Sequence, residues 1–380
     1  MNGIPTRCRS SRPAAGFTLM EVMITMAVTL LIMAGTLRAM NDALRASDVA
    51  QLTTSMNQGL RTAIDIMVRD MLQVGQGLPS GRTIDIPNGT GATAVKIPGA
   101  PGTTRTLAAG ATEITAIVPG PGLGPTINGV ATDVITVILA DGAFLSTISD
   151  YDVNLTKVCT ATHTMTVDSA VDISNGGADD LHVGDLIMLM KGSATTLAQI
   201  TALDGVQTAT FAANDSLNLN QTAAPNGTLN ALVAVAPADT CTATNYQPTT
   251  ATRIRMITYY IDAVTDPSRP RLVRRVNNGS ATAYDNNSGT ALAFDVENLQ
   301  ISYDLVDGVN NPAEVKFTAA DLAGTGRCSP NPCSPNQIRK INITLSGRSR
   351  TPQRQTKQYL RNTLTTQVSL RSMSFIDRYR

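Results

Sequence analysis

The sequence predicts an α+β protein in which one long N-terminal helix packs against a large, antiparallel, β-rich head. A run of apolar residues near the N-terminus passes, without any proline, into a helical pattern. Most of the remaining chain consists of short strand-like runs separated by turn residues. One helix followed by many strands is the order typical of the α+β class with an antiparallel sheet.

The helix is expected to extend from residue 17 to about residue 74. Residues 17–37 carry no charge except Glu21, and an apolar run of this length can cross a membrane as a helix. We expect an amphipathic extension of the same helix over residues 38–75, ending where glycine and proline first become frequent. The face predicted to pack against the head consists of Leu60, Ile64, Met67 and Met71.

The charges around the apolar run predict its orientation. The preceding segment carries Arg7, Arg9 and Arg12 and no acidic residue, whereas the segment that follows mixes both signs. The positive-inside bias therefore predicts a single-pass protein with a cytoplasmic N-terminus and with residues 38–380 on the other side of the membrane.

Glu21 is a carboxylate within the apolar run, and burying it in lipid costs about 2.5–3.5 kcal/mol. Within the subunit, the sequence suggests only the field of the helix N-terminus as compensation. We therefore expect a partner outside the subunit, and the alternative is a carboxylate that reaches the lipid interface. Four threonines (Thr18, Thr25, Thr29 and Thr36) share a mildly polar face, whose hydroxyls bond either to neighbouring helices or to their own preceding turn.

The head, residues 76–380, begins with a loop-rich segment over residues 77–130 that is dense in glycine and proline. Alternating or β-branched runs then predict strands. The predicted strands are 113–118, 134–139, 183–190, 253–261, 271–276, 294–306, the run around Ile341–Leu345, and the run Leu364–Leu370.

The string Gly16-Phe17-Thr18-Leu19, followed two residues later by Glu21, resembles the N-terminal signature of type IV pilins and of type II secretion pseudopilins. The resemblance implies that a prepilin peptidase removes leader residues 1–16 by cutting between Gly16 and Phe17, and then N-methylates Phe17. It also implies that Glu21 pairs with the Phe17 amine of a neighbouring subunit during assembly. The alternative is an uncleaved N-terminal anchor.

Five stretches, one at the end of the helix and four in the head, resemble in order the PilW family of minor pilins. They are RDMLQVGQG, TYYID, RPRLVRRV, FDVENLQISYDL and VSLRS. This resemblance implies a pilin-like fold and a minor pilin that primes assembly of a type IV pilus, in a minor-pilin complex at the tip. PilW proteins are related to J-type pseudopilins, whose heads are typically shorter than this one.

Removal of the leader takes away Cys8 and leaves an even set, Cys159, Cys241, Cys328 and Cys333. In an oxidising compartment these predict disulfides, and three pairings are open. The nearest pair is Cys328 with Cys333, which would leave Cys159 with Cys241. A zinc site that uses His163 or His182 is the sharper alternative, but the spacing lacks a C-x-x-C pair, so we expect no metal.

No sequence motif indicates catalysis: we find no P-loop, no H-E-x-x-H and no G-x-S-x-G. We expect no enzyme activity, no cofactor and no small-molecule substrate. Aspartates around residues 168–185 offer oxygens for calcium, although their spacing favours a solvated acidic turn.

The C-terminal segment is basic, and its candidate anion-binding residues are Arg348, Arg350, Arg354 and Lys357. The favoured interpretation is a solvated sheet face that neutralises acidic residues elsewhere on the head. Docking to an acidic partner pilin and binding to nucleic acid are the alternatives, and we do not expect nucleic acid as a partner.

The expected partners are other minor and major pilins, the prepilin peptidase, the inner-membrane assembly platform and the membrane itself. The expected final location is the pilus at the cell surface. The alternative functions are a J-type pseudopilin, a DNA-binding pilin and an adhesive tip pilin.

Overall fold

The structure is a computed structural model, and it confirms the α+β, pilin-like class: one long helix packed against a large antiparallel β-rich head. The residues it describes are 16–79, 83–87, 93–101, 103, 105–107, 111–142, 152–168, 171–173, 180–213, 215–221, 228–229, 232, 241, 249–277, 289–305, 317–318, 321 and 334–373. Leader residues 1–15, with Cys8, lie outside this set, as do Cys328 and Cys333.

Helix α1 (Leu19–Leu72) is a single element of 54 residues, or about 81 Å at 1.5 Å per residue. The predicted helix is thus confirmed to within two residues at each end. It begins after Thr18, passes without interruption through Gly59, and ends at the C-cap residue Gln73.

Only the C-terminal part of α1 is buried. Every residue from 16 to 47 is exposed, and full burial begins at Leu60. The predicted packing face is confirmed, since all four of its residues are buried: Leu60, Ile64, Met67 and Met71. The helix therefore has an exposed apolar part and a part that packs against the head.

The described residues of the head contain twenty strands. They are β1 (Thr83–Asp85), β2 (Lys96–Ile97), β3 (Arg105–Thr106), β4 (Glu113–Thr115), β5 (Ile117–Gly120), β6 (Thr126–Ile127), β7 (Val130–Ala131), β8 (Val134–Ala140), β9 (Asp152–Cys159), β10 (Thr164–Val167), β11 (Leu186–Lys191), β12 (Ala194–Gln199), β13 (Ala202–Asp204), β14 (Thr208–Thr210), β15 (Thr249–Asp262), β16 (Arg271–Val276), β17 (Thr290–Phe294), β18 (Val296–Leu305), β19 (Ile338–Arg348) and β20 (Arg361–Ser369).

The large sheet is organised around β15, which pairs with four strands. Its first half pairs with β11 on one side and β9 on the other, and its second half pairs with β16 and β8. Each of these pairs is antiparallel. A strand that is buried on both faces needs a nearly continuous apolar run, and the second half of β15, MITYYI, comes close to one and is buried throughout.

A second, three-stranded antiparallel sheet has the order β18-β19-β20. Helix α1 lies against one face of it, and a methyl group built onto Gly347 of β19 would approach Leu60 Cδ2 to 3.0 Å. The main apolar core therefore combines the buried face of α1 with β8, β15 and this sheet, while a second core lies among β9, β10 and β11.

The chain leaves α1 by joining β8. The Gly75 amide donates to the carbonyl of Ile138 at 3.0 Å, and the Ala140 amide donates to the carbonyl of Gln76 at 2.9 Å. Gly77 follows with φ of 69°, and a side chain there would lie 2.4 Å from Ala140 Cβ. Only glycine fits this close approach, which fixes the direction in which the helix enters the sheet.

The structure divides two predicted strands. The predicted strand 113–118 becomes β4 and the start of β5. The predicted strand 294–306 becomes β18 and the last residue of β17, because Asp295 between them adopts φ of 60°. The Asp295 carbonyl accepts from the Arg348 amide at 2.9 Å, and its carboxylate is paired with Arg269 at 3.0 Å. The break moves the chain from the large sheet to the three-stranded sheet.

Candidate assembly helix and its attachment to the head

Glu21 has a partner within the chain, which corrects the expectation that only the helix N-terminus would compensate it. The Thr18 amide and the Thr18 hydroxyl both donate to Glu21 Oε2 at 3.0 Å, and the Glu21 amide donates to Thr18 Oγ1 at 3.3 Å. These bonds form a capping box. The signal that sequence reasoning missed is the spacing T-x-x-E in Thr18-Leu-Met-Glu21.

The threonine hydroxyls of α1 bond to their own preceding turn. Thr25 donates to the Val22 carbonyl at 2.9 Å, Thr29 to the Thr25 carbonyl at 2.7 Å, and Thr36 to the Met33 carbonyl at 2.9 Å. Of the two alternatives for this face, bonding to the preceding turn is therefore the one that the structure shows. Hydroxyls that are satisfied in this way leave the helix surface compatible with lipid.

The first part of α1 presents an exposed apolar surface. Phe17 is 85% exposed and Leu31 is 74% exposed, and none of the most apolar eighteen-residue window is buried. A helix this long and this apolar can cross a membrane. Because soluble proteins rarely leave so much contiguous apolar surface in water, we expect lipid or other helices to cover it.

The buried part of α1 is fastened to the large sheet through Asp70. The Tyr259 hydroxyl of β15 donates to Asp70 Oδ2, and Arg274 Nε of β16 donates to the same oxygen at 2.6 Å. Burial and the Asp70 charge both raise the pKa of Tyr259, so its hydroxyl remains a donor across the physiological range.

Two further contacts fasten α1 to the three-stranded sheet and to its loop. Asn362 of β20 donates from Nδ2 to Asn57 Oδ1 at 2.6 Å. Arg354, in the loop between β19 and β20, lies 3.6 Å from Asp48 as a solvent-exposed ion pair. A groove of about 380 Å³ lies between this loop and α1, bordered by residues such as Leu52 and Pro352.

The candidate anion-binding residues do not share one environment. Arg348 is mostly buried: Nη1 lies 3.4 Å from Glu297 Oε1, Nη2 donates to the Ser268 carbonyl, and the guanidinium lies 4.4 Å from the centre of the Tyr359 ring. This geometry is the one expected of a basic residue that neutralises an acidic residue of the head, here Glu297. Arg350, Arg354 and Lys357 are instead exposed in the loop after β19, and anion binding there stays a prediction.

A disulfide joins Cys159, at the end of β9, to Cys241. This is one of the pairings that the sequence left open, while the predicted pair Cys328 and Cys333 lies outside the described residues. Within the part of the chain that the structure describes, no three histidine, cysteine or acidic side chains form a metal-binding group. Asp185, in the predicted acidic turn, accepts from the His182 amide at 2.9 Å.

Together, the exposed apolar helix, its capped N-terminus and its attachment to an antiparallel head define a pilin-like protein anchored in the membrane by its N-terminus. Residues 11–37 match the family model described as the prokaryotic N-terminal methylation motif. The match supports a protein of the pilin or pseudopilin type, and the motif implies processing by prepilin peptidase and assembly with other pilins. Neither a curated protein nor a solved structure matches the chain.

Proposed function

We propose that the protein is a minor pilin of a type IV pilus, which helps to prime pilus assembly within a minor-pilin complex at the tip. The observation that carries the proposal is the methylation motif at residues 11–37, continuous with an exposed apolar helix. The resemblance of the head stretches to PilW proteins supports the pilus over secretion. The protein acts by packing and charge pairing rather than by catalysis.

In the proposed pathway, the peptidase cuts between Gly16 and Phe17 and methylates the new Phe17 amine. Residues 17–37 then anchor the subunit in the inner membrane and later lie in the filament core. Residues 38–75 extend that helix to the head, residues 76–380, which faces the periplasm and then the cell surface.

Glu21 has the central role in this pathway. Its capping box with Thr18 holds the carboxylate at the N-terminal end of α1 instead of letting it extend along the helix. A carboxylate held there is in place to pair with the Phe17 amine of a neighbouring subunit. In lipid such a pair compensates two charges at once, which favours one register between parallel helices.

The proposal is tested first on the mature protein isolated from membranes. Its mass and N-terminal sequence should show a chain that starts at Phe17 and carries one added methyl group. A chain that starts at Met1 would contradict the proposal, because an uncleaved anchor cannot present the Phe17 amine.

A J-type pseudopilin is the second candidate, because pseudopilins share the same motif. Deletion of the gene separates the two functions. Loss of pili with secretion intact supports the minor pilin, whereas loss of secretion with pili intact supports the pseudopilin. The DNA-binding alternative is tested by the salt dependence of DNA binding to the full-length protein in detergent, and no binding at low salt excludes it.

A further inference from the structure

The outer edge of β20 is unpaired within the part of the chain that the structure describes, and is called the open edge below. Residues Arg361–Ser369 pair with β19 over their whole length, and within the described residues no strand pairs with their other side. The Leu370 amide donates to the Arg339 carbonyl at 2.8 Å, and the Ser349 amide donates to the Leu360 carbonyl at 2.7 Å. In an antiparallel pair, the backbone N–H and C=O groups of successive residues face the partner strand and the opposite side in turn. Even-numbered residues of β20 therefore bond to β19, and odd-numbered residues direct their backbone groups to the open edge.

This edge lacks the features with which proteins normally block an open strand. It has no proline, and its pairing with β19 shows no register shift. Its one charged residue, Arg361, stands at its start and pairs with Glu297 at 2.6 Å. A long, regular edge without a charge beyond its first residue is a template for another strand.

The edge strand is also held rigidly on both faces. On the inner face, Asn362 is bonded to α1 through Asn57. On the outer face, side chains of β20 bond across to β19. These cross-strand pairs are Thr363 with Ser346 at 2.8 Å, Thr365 with Thr344 at 3.3 Å, and Gln367 with Asn342 at 2.8 Å. A preorganised edge loses little conformational entropy when a strand is added.

The charges beside the edge indicate what kind of strand fits. Residues 350–371 contain no acidic residue, and their exposed Arg350, Lys357 and Arg371 have no ion-pair partner among the described residues. Antiparallel pairing of two copies would bring the basic loop of one copy against Arg371 of the other. Because like charges oppose that contact, the charge pattern disfavours a second copy and favours an acidic partner.

We propose that the open edge of β20 accepts an extended strand, flanked by acidic residues, from the head of a different pilin-type subunit. The added strand bonds to the outward backbone groups of Thr365, Gln367 and Ser369, since the Thr363 amide already donates to Asn362 Oδ1 at 2.9 Å. That the partner is a pilin-type subunit rests on the function proposed above. It supplies a contact between heads that is separate from the contact between N-terminal helices.

The test uses photo-reactive side chains in the full-length protein within cells that express it. One probe replaces Gln367 at the edge, a second replaces Leu31 on the exposed part of α1, and a third replaces Val264 in the turn between β15 and β16. We expect the Gln367 probe to cross-link to a different protein that carries an N-terminal methylation motif. The cross-linked peptide should contain acidic residues, and the Val264 probe should not give this product.

Paired substitutions connect that product to strand pairing. Thr365→Pro removes an outward backbone donor and no backbone bond to β19, and should lower the cross-link yield at Gln367 by about fivefold. Both Thr365→Pro and Thr365→Ala lose the side-chain bond to Thr344. Thr365→Ala keeps the donor and should leave the yield unchanged. Arg371→Glu should lower the cross-link yield at Gln367 without altering the strand. If Thr365→Pro fails to fold, an unchanged yield in Arg371→Glu contradicts the acidic partner.

The outcomes distinguish the two proposals. Two results overturn the edge proposal and leave the proposed function standing. In the first, the Gln367 probe cross-links only to a second copy of this protein. In the second, the Gln367 probe cross-links to no pilin, whereas the Leu31 probe does. A Leu31 probe that reaches no pilin, in a correctly inserted protein, contradicts the proposed function. Equal yields for Thr365→Pro and Thr365→Ala, with both variants folded, show that the partner contacts side chains and not the strand edge.

Discussion

The hydroxyl of Tyr259, on the central strand of the large sheet, donates a hydrogen bond to the carboxylate of Asp70 on the helix. Arg274 of the neighbouring strand donates to the same oxygen at 2.6 Å. One buried carboxylate therefore connects α1 to two strands. The strands pair at Tyr259 and Arg274, which explains how both side chains reach one oxygen.

Asp70→Ala should destabilise the head. The substitution leaves a buried hydroxyl and a largely buried guanidinium without their acceptor, at a cost of about 2–4 kcal/mol. Thermal unfolding of the full-length protein in detergent measures this change. Asp65→Ala is the matched control, because Asp65 is exposed on the same helix and should change stability by less than about 0.5 kcal/mol. Equal losses from both variants would contradict the assigned role of Asp70.

Glu297 should make stability fall in acid. Burial alone would raise its pKa, but hydrogen bonds from Arg361 and the charges of Arg361 and Arg348 outweigh burial, and its pKa lies below the ordinary value. Because the unfolded chain then takes up the proton first, this contribution is complete above the unfolded pKa of about 4.3 and is lost as pH falls below it.

Glu297→Gln should therefore reduce the difference in melting temperature between pH 7 and about pH 3. Exposed Glu113→Gln serves as the control and should keep the difference seen in the unsubstituted protein. An unchanged difference in Glu297→Gln would show that other carboxylates dominate the acid response.

Removing the disulfide between Cys159 and Cys241 should destabilise the large sheet. The bridge links residues 82 positions apart, and loss of a native disulfide costs about 2–5 kcal/mol. We expect the double variant Cys159→Ser, Cys241→Ser to melt at a lower temperature. Adding reductant should lower the melting temperature of the unsubstituted protein more than that of the double variant. Equal sensitivity to reductant would indicate that this bridge contributes little.

Substitutions at Glu21 separate helix capping from charge pairing. Glu21→Gln keeps an acceptor for the capping box but loses the charge, whereas Glu21→Ala loses both. If the charge pairs with a neighbouring Phe17 amine, both variants should be lost from sheared pili to a similar extent. Incorporation is measured by quantitative immunoblotting against total membrane protein. Normal incorporation of Glu21→Gln, with Glu21→Ala absent from pili, would assign Glu21 to capping alone.

Local signals predicted the helix and several strands because they depend on neighbouring residues. The apolar run with its four-residue spacing defined α1, and β16 was predicted with its observed bounds, Arg271–Val276. The buried face that includes Leu60 and Met67 followed from spacing alone. The T-x-x-E capping box was equally local and could have been read from the sequence.

Other features depend on contacts between distant parts of the chain. Sequence reasoning missed β9, β12 and β14, which are strands because they pair within the large sheet. The runs of β12 and β14 are short and threonine-rich, without strong apolar alternation. The role of Asp70 was equally inaccessible, because Tyr259 lies 189 residues away. The same reasoning applies to Arg348, whose acidic partner Glu297 lies 51 residues away.

Continuity of α1 determines how the subunit carries load. Tension between the exposed part of the helix and the head runs parallel to the helix axis, because no break separates the two parts. The apolar face around Met67, the bonds to Asp70 and the bond between Asn57 and Asn362 then resist sliding together, in shear. Contacts loaded in parallel share the force, whereas contacts that are peeled apart fail one after another. The attachment of the helix to the head is thus also a mechanical joint, suited to a pull along the helix.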